Sequence, residues 1–477
     1  MSGSELAARV REALEVDAAE FDARVADEAE RLKAAVHEGT FDNAEAIVGL
    51  ELELYAVDAR TGGLRRMPRH LLELIGFEKE LGLHNAEMQT SPQPFNEHGL
   101  AVQERELAAN LVPAMDRVGR DDFRLVSDGM LTVPPRGETA TDYLRDSVEE
   151  DGIRIAANMS DAVRYHAMAN TDYAAGMRIE APHVSLQADT VMPESLITSI
   201  QPHYQVAHAP NLPEYFRYAL RIAAPLLALG VNSPFFPPDL YDDADRSDKV
   251  GFPPDFEHVD EAIDAVVADD AIVPTTVETG RGFDEAFTHF QHKHGSYWRW
   301  VRPVFEGGTR SAANARIEFR PLPAQPTLRD AVSFQAVFAG LMELLPQAEH
   351  PVRGLDWETA RENFYAASRE GLRADIEWIT SDGVTTTATD RVFSELFEGA
   401  REGLESRGLS TERARRYIRP LRERVDRRTT PARWKHDHVA AAVDRNTPLP
   451  EAVWAMQSTY VDNQAETLFD GTFADWL

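Results

Sequence analysis

Cysteine is absent from this 477-residue chain, which excludes disulfide bridges, thiolate metal sites and a cysteine nucleophile. Any metal site must therefore use Asp, Glu, His and water, a ligand set that favours Mg²⁺ or Mn²⁺ over a structural zinc. The chain also has no apolar run of roughly 18 residues, so we expect no membrane span. The first residues lack the basic and apolar regions of a signal peptide, and we expect a cytoplasmic protein.

Lysine is scarce, and arginine supplies nearly all of the positive charge. The five lysines are Lys33, Lys79, Lys249, Lys293 and Lys435. Acidic residues number 80 against 49 basic ones, which gives a net charge of −31 and disfavours nucleic-acid partners. In molar salt the Debye length falls to about 3 Å, so the self-repulsion of such a surface is screened. The composition favours a protein from a salt-loving organism over an ordinary acidic protein.

Common nucleotide-binding and hydrolase motifs are missing as well. The sequence has no P-loop, no G-x-G-x-x-G that opens a helix, no H-E-x-x-H and no G-x-S-x-G. Nucleotide chemistry would need a different kind of site. The arginine-rich segment 413–435 is explained more simply as a helical face that neutralises the acidic body than as an RNA-binding surface.

The pattern of the chain predicts an α+β protein. With 43% hydrophobic residues it can bury a large core, and its length suits about two to four domains or one large catalytic unit with additions. We predict an N-terminal helical extension (1–46), a strand-rich catalytic body (47–345) and a C-terminal helical region (346–477). The expected elements of the body are strands at 47–57, 84–94, 296–305 and 314–320, helices at 98–119, 212–229 and 328–345, and an irregular segment at 237–280.

Three segments place polar groups at every second position of a strand-like run, so those groups share one face. Glu51 and Glu53 alternate with leucines in the first segment, and His183, Ser185 and Gln187 lie opposite Val184 and Leu186 in the second. The third segment is Arg316-Ile317-Glu318-Phe319-Arg320, and Glu87 and Gln89 repeat the spacing elsewhere. Each set alone is also what a half-exposed surface strand looks like. If the strands lie in one sheet, they would give it an acidic face ready to bind metal.

Three arginines accompany the last glutamate of this kind. Arg302 follows an aromatic segment, and Arg316 and Arg320 flank Glu318 on one predicted strand. Guanidinium groups make two-pronged contacts to carboxylate or phosphate oxygens. Any one of these arginines could instead form an ordinary surface ion pair. That alternative explains three arginines near one glutamate less well.

Taken in order, these segments resemble glutamate–cysteine ligase family 2, carboxylate–amine ligases with a glutamine synthetase-like fold. The matching motifs are weak singly and more specific as an ordered set over about 47–345. They are Gly49-Leu50-Glu51-Leu52-Glu53, Ala86-Glu87-Met88-Gln89-Thr90-Ser91-Pro92, His183-Val184-Ser185-Leu186, Leu227 to Phe235, Trp298 to Pro303 and Ile317-Glu318-Phe319-Arg320. The chain departs from the family pattern at Ile179-Glu180-Ala181-Pro182 and after Pro234, which bears mainly on the amine substrate.

The resemblance implies a curved antiparallel sheet that holds ATP with Mg²⁺ or Mn²⁺ and forms a γ-glutamyl amide through an acyl phosphate. The implied roles divide among three groups of residues. Metal ligands would be Glu51, Glu53, Glu87 and Glu318; catalytic residues would be Arg302, Arg320 and His183; cofactor contacts would be Gln89, Ser185, Gln187 and Arg316. The partners would be small molecules, a glutamate-like carboxylate and an amino-acid amine.

Two other functions stay open on the sequence alone. One is a non-catalytic relative that binds nucleotide or amino acid, and the other is a phosphagen kinase-like phosphotransferase on a related fold. The acceptor amine is not readable from the chain, and the helical ends would suit a homo-oligomer interface or a lid equally.

Overall fold

The computed structural model describes residues 3–171, 177–181, 183–241, 251–270, 272–275 and 282–477. It is an α+β fold built on an antiparallel sheet, which confirms the predicted class. The helices are α1 Gly3–Leu14, α2 Ala18–His37, α3 Arg69–Ile75, α4 Glu97–Gly119, α5 Ala140–Arg145, α6 Val163–Met168, α7 Leu212–Gly230, α8 Val259–Ala268, α9 Thr288–His294, α10 Leu328–Gln347, α11 Trp357–Glu370, α12 Thr389–Ser406, α13 Thr411–Asp426, α14 Pro431–Val443 and α15 Leu449–Thr467. The strands are β1 Ile47–Asp58, β2 Glu78–Lys79, β3 Asn85–Gln89, β4 Gln93–Pro94, β5 Phe123–Val126, β6 Ser147–Glu150, β7 Ile153–Ala156, β8 Met177–Ala181, β9 Val184–Ala188, β10 Ser199–Gln205, β11 Val301–Glu306, β12 Asn314–Phe319, β13 Leu322–Pro323, β14 Trp378–Ile379 and β15 Thr385–Thr386.

Nine of these strands form the main sheet. Its order is β11-β12-β10-β1-β3-β2, with β4 and β5 paired to β1 and β13 paired to β10. All of the pairs are antiparallel. The strand β1 lies at the centre, so side chains from β3, β10 and β12 are brought close to it.

One face of the sheet packs on helices. In β1 the leucines Leu50, Leu52 and Leu54 are buried while the residues between them are only half-buried, as the alternation predicted. On the same side Phe319 of β12 stacks on Phe338 of α10, with ring centroids 4.7 Å apart. The helices α7 and α10 cover this face, which leaves the opposite face for the polar side chains.

The predicted N-terminal helix is two helices. Asp17 ends the first segment and caps α2, where its carboxylate accepts from the N–H groups of Ala19 and Glu20 at 2.9 and 3.1 Å. Buried Glu28 of α2 accepts from Phe290 N–H at 2.8 Å and contacts the ring of His289 at 2.6 Å. These contacts fasten the N-terminal segment to α9, which precedes β11.

The C-terminal helices share the core of the body. Two fully buried ion pairs hold them: Arg424 of α13 with Asp330, 2.7 Å apart, and Lys435 of α14 with Asp128, 2.5 Å apart. Apolar residues from Phe21 to Leu468 belong to one continuous cluster that crosses the boundaries predicted near residues 46 and 345. In the described part of the chain, no helix combines the length and the hydrophobicity needed to cross a bilayer.

Candidate active site

Pairing between the strands gathers the polar face from distant parts of the sequence. Directly opposed residues of an antiparallel pair share a face. Arg302 of β11 lies opposite Glu318 of β12, and Glu318 lies opposite His203 of β10. Further along, β1 pairs Glu51 with Gln201 and Gln89, and Glu53 with Glu87.

Glu53 is held by β10. Its carboxylate accepts hydrogen bonds from Ser199 N–H at 2.8 Å, from Ser199 Oγ at 3.1 Å and from Gln201 Nε2 at 2.8 Å. Burial and then the negative charge of Glu87 nevertheless raise the pKa of Glu53 to about 7. The carboxylate is thus oriented by donors while its charge remains poorly compensated.

Glu87 and Glu80 form a pair of acidic side chains beside Glu53. Glu87 is buried, and Gln89 Nε2 donates to its Oε1 at 2.7 Å. Burial, followed by the hydrogen bond and charge of Glu80, raises the pKa of Glu87 to about 8. The pKa of Glu80 is also raised, first by burial and then by the charge of Glu53. Such mutual elevation is typical of carboxylates that share a buried site.

The pKa of Glu318 is shifted in the opposite direction. Burial alone would raise its pKa, but Arg302 and Arg320 outweigh that effect and hold the pKa well below the usual range. Arg302 Nη2 lies 2.8 Å from Glu318 Oε2, and Arg320 Nη1 contacts Oε1. Arg320 also donates to Gln201 Oε1 at 2.7 Å. Glu318 is therefore a fixed, charged carboxylate at neutral pH.

Glu51 lies between these two groups. Burial raises its pKa well above the usual range, and the charges of Glu318 and Glu87 add to the shift. Its Oε1 is 3.4 Å from His203 Nε2. Burial also lowers the pKa of His203 to about 3, so this imidazole is neutral. The positive charge of Arg320 offsets only part of this shift, so Glu51 lies mainly among like charges and beside a neutral ring.

The structure brings together most of the side chains that the sequence singled out. Those on the polar face of the sheet or at its edge are Glu51, Glu53, Glu87, Gln89, Arg302, Arg316, Glu318 and Arg320. Their roles as ligands, clamps or cofactor contacts stay predictions.

The histidine segment lies elsewhere. The expectation of one sheet for all three segments is wrong, because β9 pairs with β8 in a separate two-stranded sheet, and its one further bridge among the described residues joins Val184 to Tyr241. His183 is exposed and stands in the turn before β9 with φ 64°, and Gln187 is exposed on β9. Ser185 is part of β9, opposite Glu180. The strand of this short hairpin has the same alternation of polar and apolar residues as a strand of the main sheet, so the pattern did not distinguish the two.

Three further members of the polar face were not predicted from the sequence. His203 and Gln201 come from β10, and Glu80 follows β2. The spacing of Gln201, His203 and Gln205 carried the period-two signal directly before α7, but Pro202 interrupts the run. Pro202 falls in the gap between the residues of β10 that pair with β12 (203–205) and with β13 (199 and 200), so no ladder on that side is broken.

The donors present fit a divalent cation by their chemistry. They are carboxylate oxygens, the ligands that Mg²⁺ and Mn²⁺ prefer, and burial together with the like charges of their neighbours raises their pKa values, so a bound cation would favour their ionised form. Within the described residues, no three Asp, Glu or His side chains already converge as a ready-made set of metal ligands. The fit is one of donor type and charge.

The part of the chain that carries this face matches a known protein family. The sequence model of glutamate–cysteine ligase family 2 matches residues 47–454, which extends past the predicted boundary at 345. No curated protein sequence matches the chain.

Three solved structures are similar in shape at low identity. A glutamate–cysteine ligase from Francisella tularensis, in complex with AMP, is 12% identical over 90% of this chain and 91% of its own, with a TM-score of 0.48. The ligase PafA in complex with the ubiquitin-like protein Pup is 13% identical over 86% of this chain and 71% of its own, with a TM-score of 0.38. A bifunctional glutathione synthetase from Pasteurella multocida is 12% identical over 92% of this chain and 55% of its own, with a TM-score of 0.45.

The family model covers most of the chain and includes β1, β3, β10, β11 and β12, the strands that build the polar face. This chain belongs to glutamate–cysteine ligase family 2 and is a carboxylate–amine ligase.

Proposed function

We propose that this ligase uses ATP to join the γ-carboxylate of glutamate to the amine of a second amino acid. The γ-phosphoryl group of ATP would pass to a carboxylate oxygen, giving an acyl phosphate and ADP. The amine nitrogen would then attack the acyl carbon, the bond from that carbon to the phosphate oxygen would break, and the amine would lose a proton. The products are a γ-glutamyl amide, ADP and phosphate.

The observation that carries the proposal is the crowding of buried and half-buried carboxylates on one face of the sheet. Glu51, Glu53, Glu80 and Glu87 all have raised pKa values, because burial and their like charges oppose ionisation. Crowding of this kind supports a cation site, because a bound cation would offset the repulsion between the carboxylates. We assign Glu51, Glu53, Glu87 and Glu318 as the main ligands, with Glu80 beside them.

The cations supply one kind of chemistry: bound Mg²⁺ or Mn²⁺ neutralises charge on phosphate oxygens and so eases attack by an anionic carboxylate. The residues of this chain orient the groups. Ser199 and Gln201 fix the Glu53 carboxylate, and Gln89 fixes that of Glu87.

Arg302 and Arg320 keep Glu318 ionised. The buried Nε of Arg302 has no hydrogen-bond partner among the described residues, so one N–H remains for an oxygen of the substrate or the phosphoryl group. We give His183, Ser185 and Gln187 no role in this site, since their hairpin is not part of the sheet.

The test is ADP release by the purified protein in KCl with Mg²⁺, glutamate and a panel of amino acids and other amines. We expect release that depends on both glutamate and one class of amine. Release with a guanidino acceptor and no glutamate would instead indicate a phosphagen kinase-like reaction. Absence of release with every pair, in a folded protein that still binds ATP, would contradict the proposal and favour a binding protein.

A further inference from the structure

Lys435 of α14 is one of only five lysines in the chain, and its side chain is fully buried. Its Nζ lies 2.5 Å from Asp128 Oδ1 and 4.2 Å from the centroid of the Tyr460 ring, and it donates to Ser233 Oγ at 3.3 Å. A buried ion pair adds little net stability over an apolar contact, because desolvation offsets the attraction. The pair therefore matters mainly for the geometry that its contacts fix.

Further donors hold the Asp128 carboxylate. Its Oδ1 also accepts from Ser233 Oγ at 3.2 Å, and its Oδ2 accepts from Gln457 Nε2 at 2.7 Å. Lys435 belongs to α14 and Gln457 to α15, whereas Ser233 lies in the segment Leu227 to Phe235 that resembles a family motif. Two C-terminal helices and this motif thus hold one residue of the loop that follows β5.

The backbone of this loop in turn holds the residue that precedes β10. Thr198 is buried; its Oγ1 donates to Asp128 O, and its N–H donates to Gly129 O at 3.2 Å. The next residue, Ser199, supplies two of the donors to the Glu53 carboxylate. A shift of Asp128 would therefore move Thr198 and Ser199 relative to Glu53.

We propose that Lys435 is a positioning residue, which sets the place of Ser199 through Asp128 and Thr198 and so orients the Glu53 carboxylate. The C-terminal helices act on the acidic face of the sheet through this path, and Lys435 itself touches neither substrate nor cation. The effect on cation binding rests on the proposed function, whereas the effect on Ser199 does not.

The first test needs no turnover. Amide hydrogen exchange at residues 198–200 is measured by mass spectrometry in the protein without nucleotide, glutamate or cation. Lys435→Met removes the positive charge that holds Asp128, so these residues should lose protection and exchange faster. Residues 301–306 of β11, at the edge of the sheet, should keep the wild-type rate, which excludes a general loss of stability.

A second variant interrupts the same path without breaking the ion pair. Lys435→Met leaves the Asp128 charge buried without its partner, so Thr198→Val decides the question if that variant does not fold. Thr198→Val removes the hydroxyl that donates to Asp128 O and keeps the size of the side chain. It should also speed exchange at 198–200. The double variant should show less than the sum of the two separate effects, because both act on one path.

The second readout is the cation requirement of ADP release at constant Mg-ATP. Lys435→Met and Thr198→Val should raise the free Mg²⁺ concentration for half-maximal rate about 10-fold, a usual effect of losing a partner that orients a ligand, and saturating Mg²⁺ should restore most of kcat. A purely structural role would reduce the amount of active protein and leave that concentration unchanged.

The matched control is Lys293→Met, the same change at another buried lysine. Lys293 of α9 pairs with Asp22 of α2 at 3.0 Å and donates to Val267 O at 2.9 Å. Its loss should leave both the exchange at 198–200 and the Mg²⁺ requirement at wild-type values.

Wild-type exchange at 198–200 in both Lys435→Met and Thr198→Val would overturn the inference, as would faster exchange there in Lys293→Met. Faster exchange with an unchanged Mg²⁺ requirement would overturn the link to Glu53. A wild-type protein that releases no ADP with any amine would contradict the proposed function instead, and the exchange data would still decide whether Lys435 positions Ser199.

Discussion

The carboxylates on this sheet differ in how much free energy their ionisation requires. Glu318 is stabilised by two arginines, whereas Glu51 must ionise in a half-buried place beside the charges of Glu318 and Glu87. Removing the Glu51 charge would relieve that repulsion, and removing it would also take away a proposed ligand. Stability and activity should therefore respond in opposite directions at this position, as is common where function depends on unfavourable placement.

We predict that Glu51→Gln lowers ADP formation at least about 10- to 100-fold while thermal stability stays unchanged or rises. The control is Glu149→Gln, an exposed strand glutamate on β6 that lies outside the main sheet. Both variants are compared by ADP release and by calorimetric unfolding. Wild-type turnover in Glu51→Gln would contradict its assignment as a ligand.

His84 should make stability depend on pH. It is fully buried, stacks on Tyr55 and bonds Tyr143 OH at 2.9 Å and Ser195 O at 3.0 Å. Burial lowers its pKa to about 4, so between about pH 6.5 and pH 4 the unfolded chain binds a proton that the folded protein does not.

Folding stability should consequently fall as pH drops through this window, by about 3 kcal/mol from this residue alone. The measurement is urea unfolding from pH 7 to pH 4 for the wild type and for His84→Gln, which has lower stability at every pH but lacks this titration. The two curves should converge as pH falls. Parallel curves would show that His84 is already protonated in the folded protein or titrates normally.

Secondary-structure elements were predictable where pattern and local chemistry agreed. In β1 the alternation of leucine and glutamate predicted both the strand and its polar face. Thr327 predicted the start of α10, where its side chain accepts from Asp330 N–H. In β10 Pro202 argued against a strand that pairing with β1 nevertheless fixes. Alternation at 183–187 gave a strand, but no local signal says which sheet a strand joins, because the choice depends on distant partners.

Packing between helices depends on residues whose importance is visible only in three dimensions. The helices α10 and α12 cross closely at Gly340 and Gly403. A Cβ on Gly403 would lie 1.9 Å from Gly340 O, and one on Gly340 would lie 2.4 Å from Ala400 O. The helices could accommodate either methyl group only by moving apart.

We predict that Gly403→Ala destabilises the fold by about 1–3 kcal/mol or more, the usual cost of overpacking. Gly399→Ala on the same helix is the control, because its Cβ would meet Leu344 and Leu341 at ordinary distances of 3.4 and 3.5 Å. The control should be neutral or stabilising by up to about 1 kcal/mol, since alanine favours helix over glycine. Equal unfolding free energies for the two variants would contradict the close crossing.

At the scale of the whole molecule, the parts that read as additions in the sequence help to position the site. The α2 helix contacts α9 through Glu28, and the C-terminal helices carry the partners of Asp330 and Asp128. Such contacts join residues 94 to 307 positions apart, so periodicity along the chain cannot predict them. Family membership to residue 454 is consistent with a C-terminal part that belongs to the catalytic body.

The net charge of −31 leads to a prediction about salt. Raising KCl from 0.1 to 3 M shortens the Debye length from about 10 Å to less than about 3 Å and should screen repulsion between surface carboxylates. The unfolding temperature should rise strongly with KCl, and a non-ionic co-solute at matched osmolality should raise it less. Equal effects of the two would contradict charge screening as the cause.

The most direct test of the central claim follows an oxygen atom. Glutamate labelled with ¹⁸O in its γ-carboxylate is incubated with ATP, Mg²⁺ and the amine that supports turnover, and the phosphate released is analysed by mass spectrometry. Formation of an acyl phosphate predicts one ¹⁸O in each phosphate, ADP in equal amount, and loss of both products in Glu51→Gln. Unlabelled phosphate, or label found in AMP, would contradict the account.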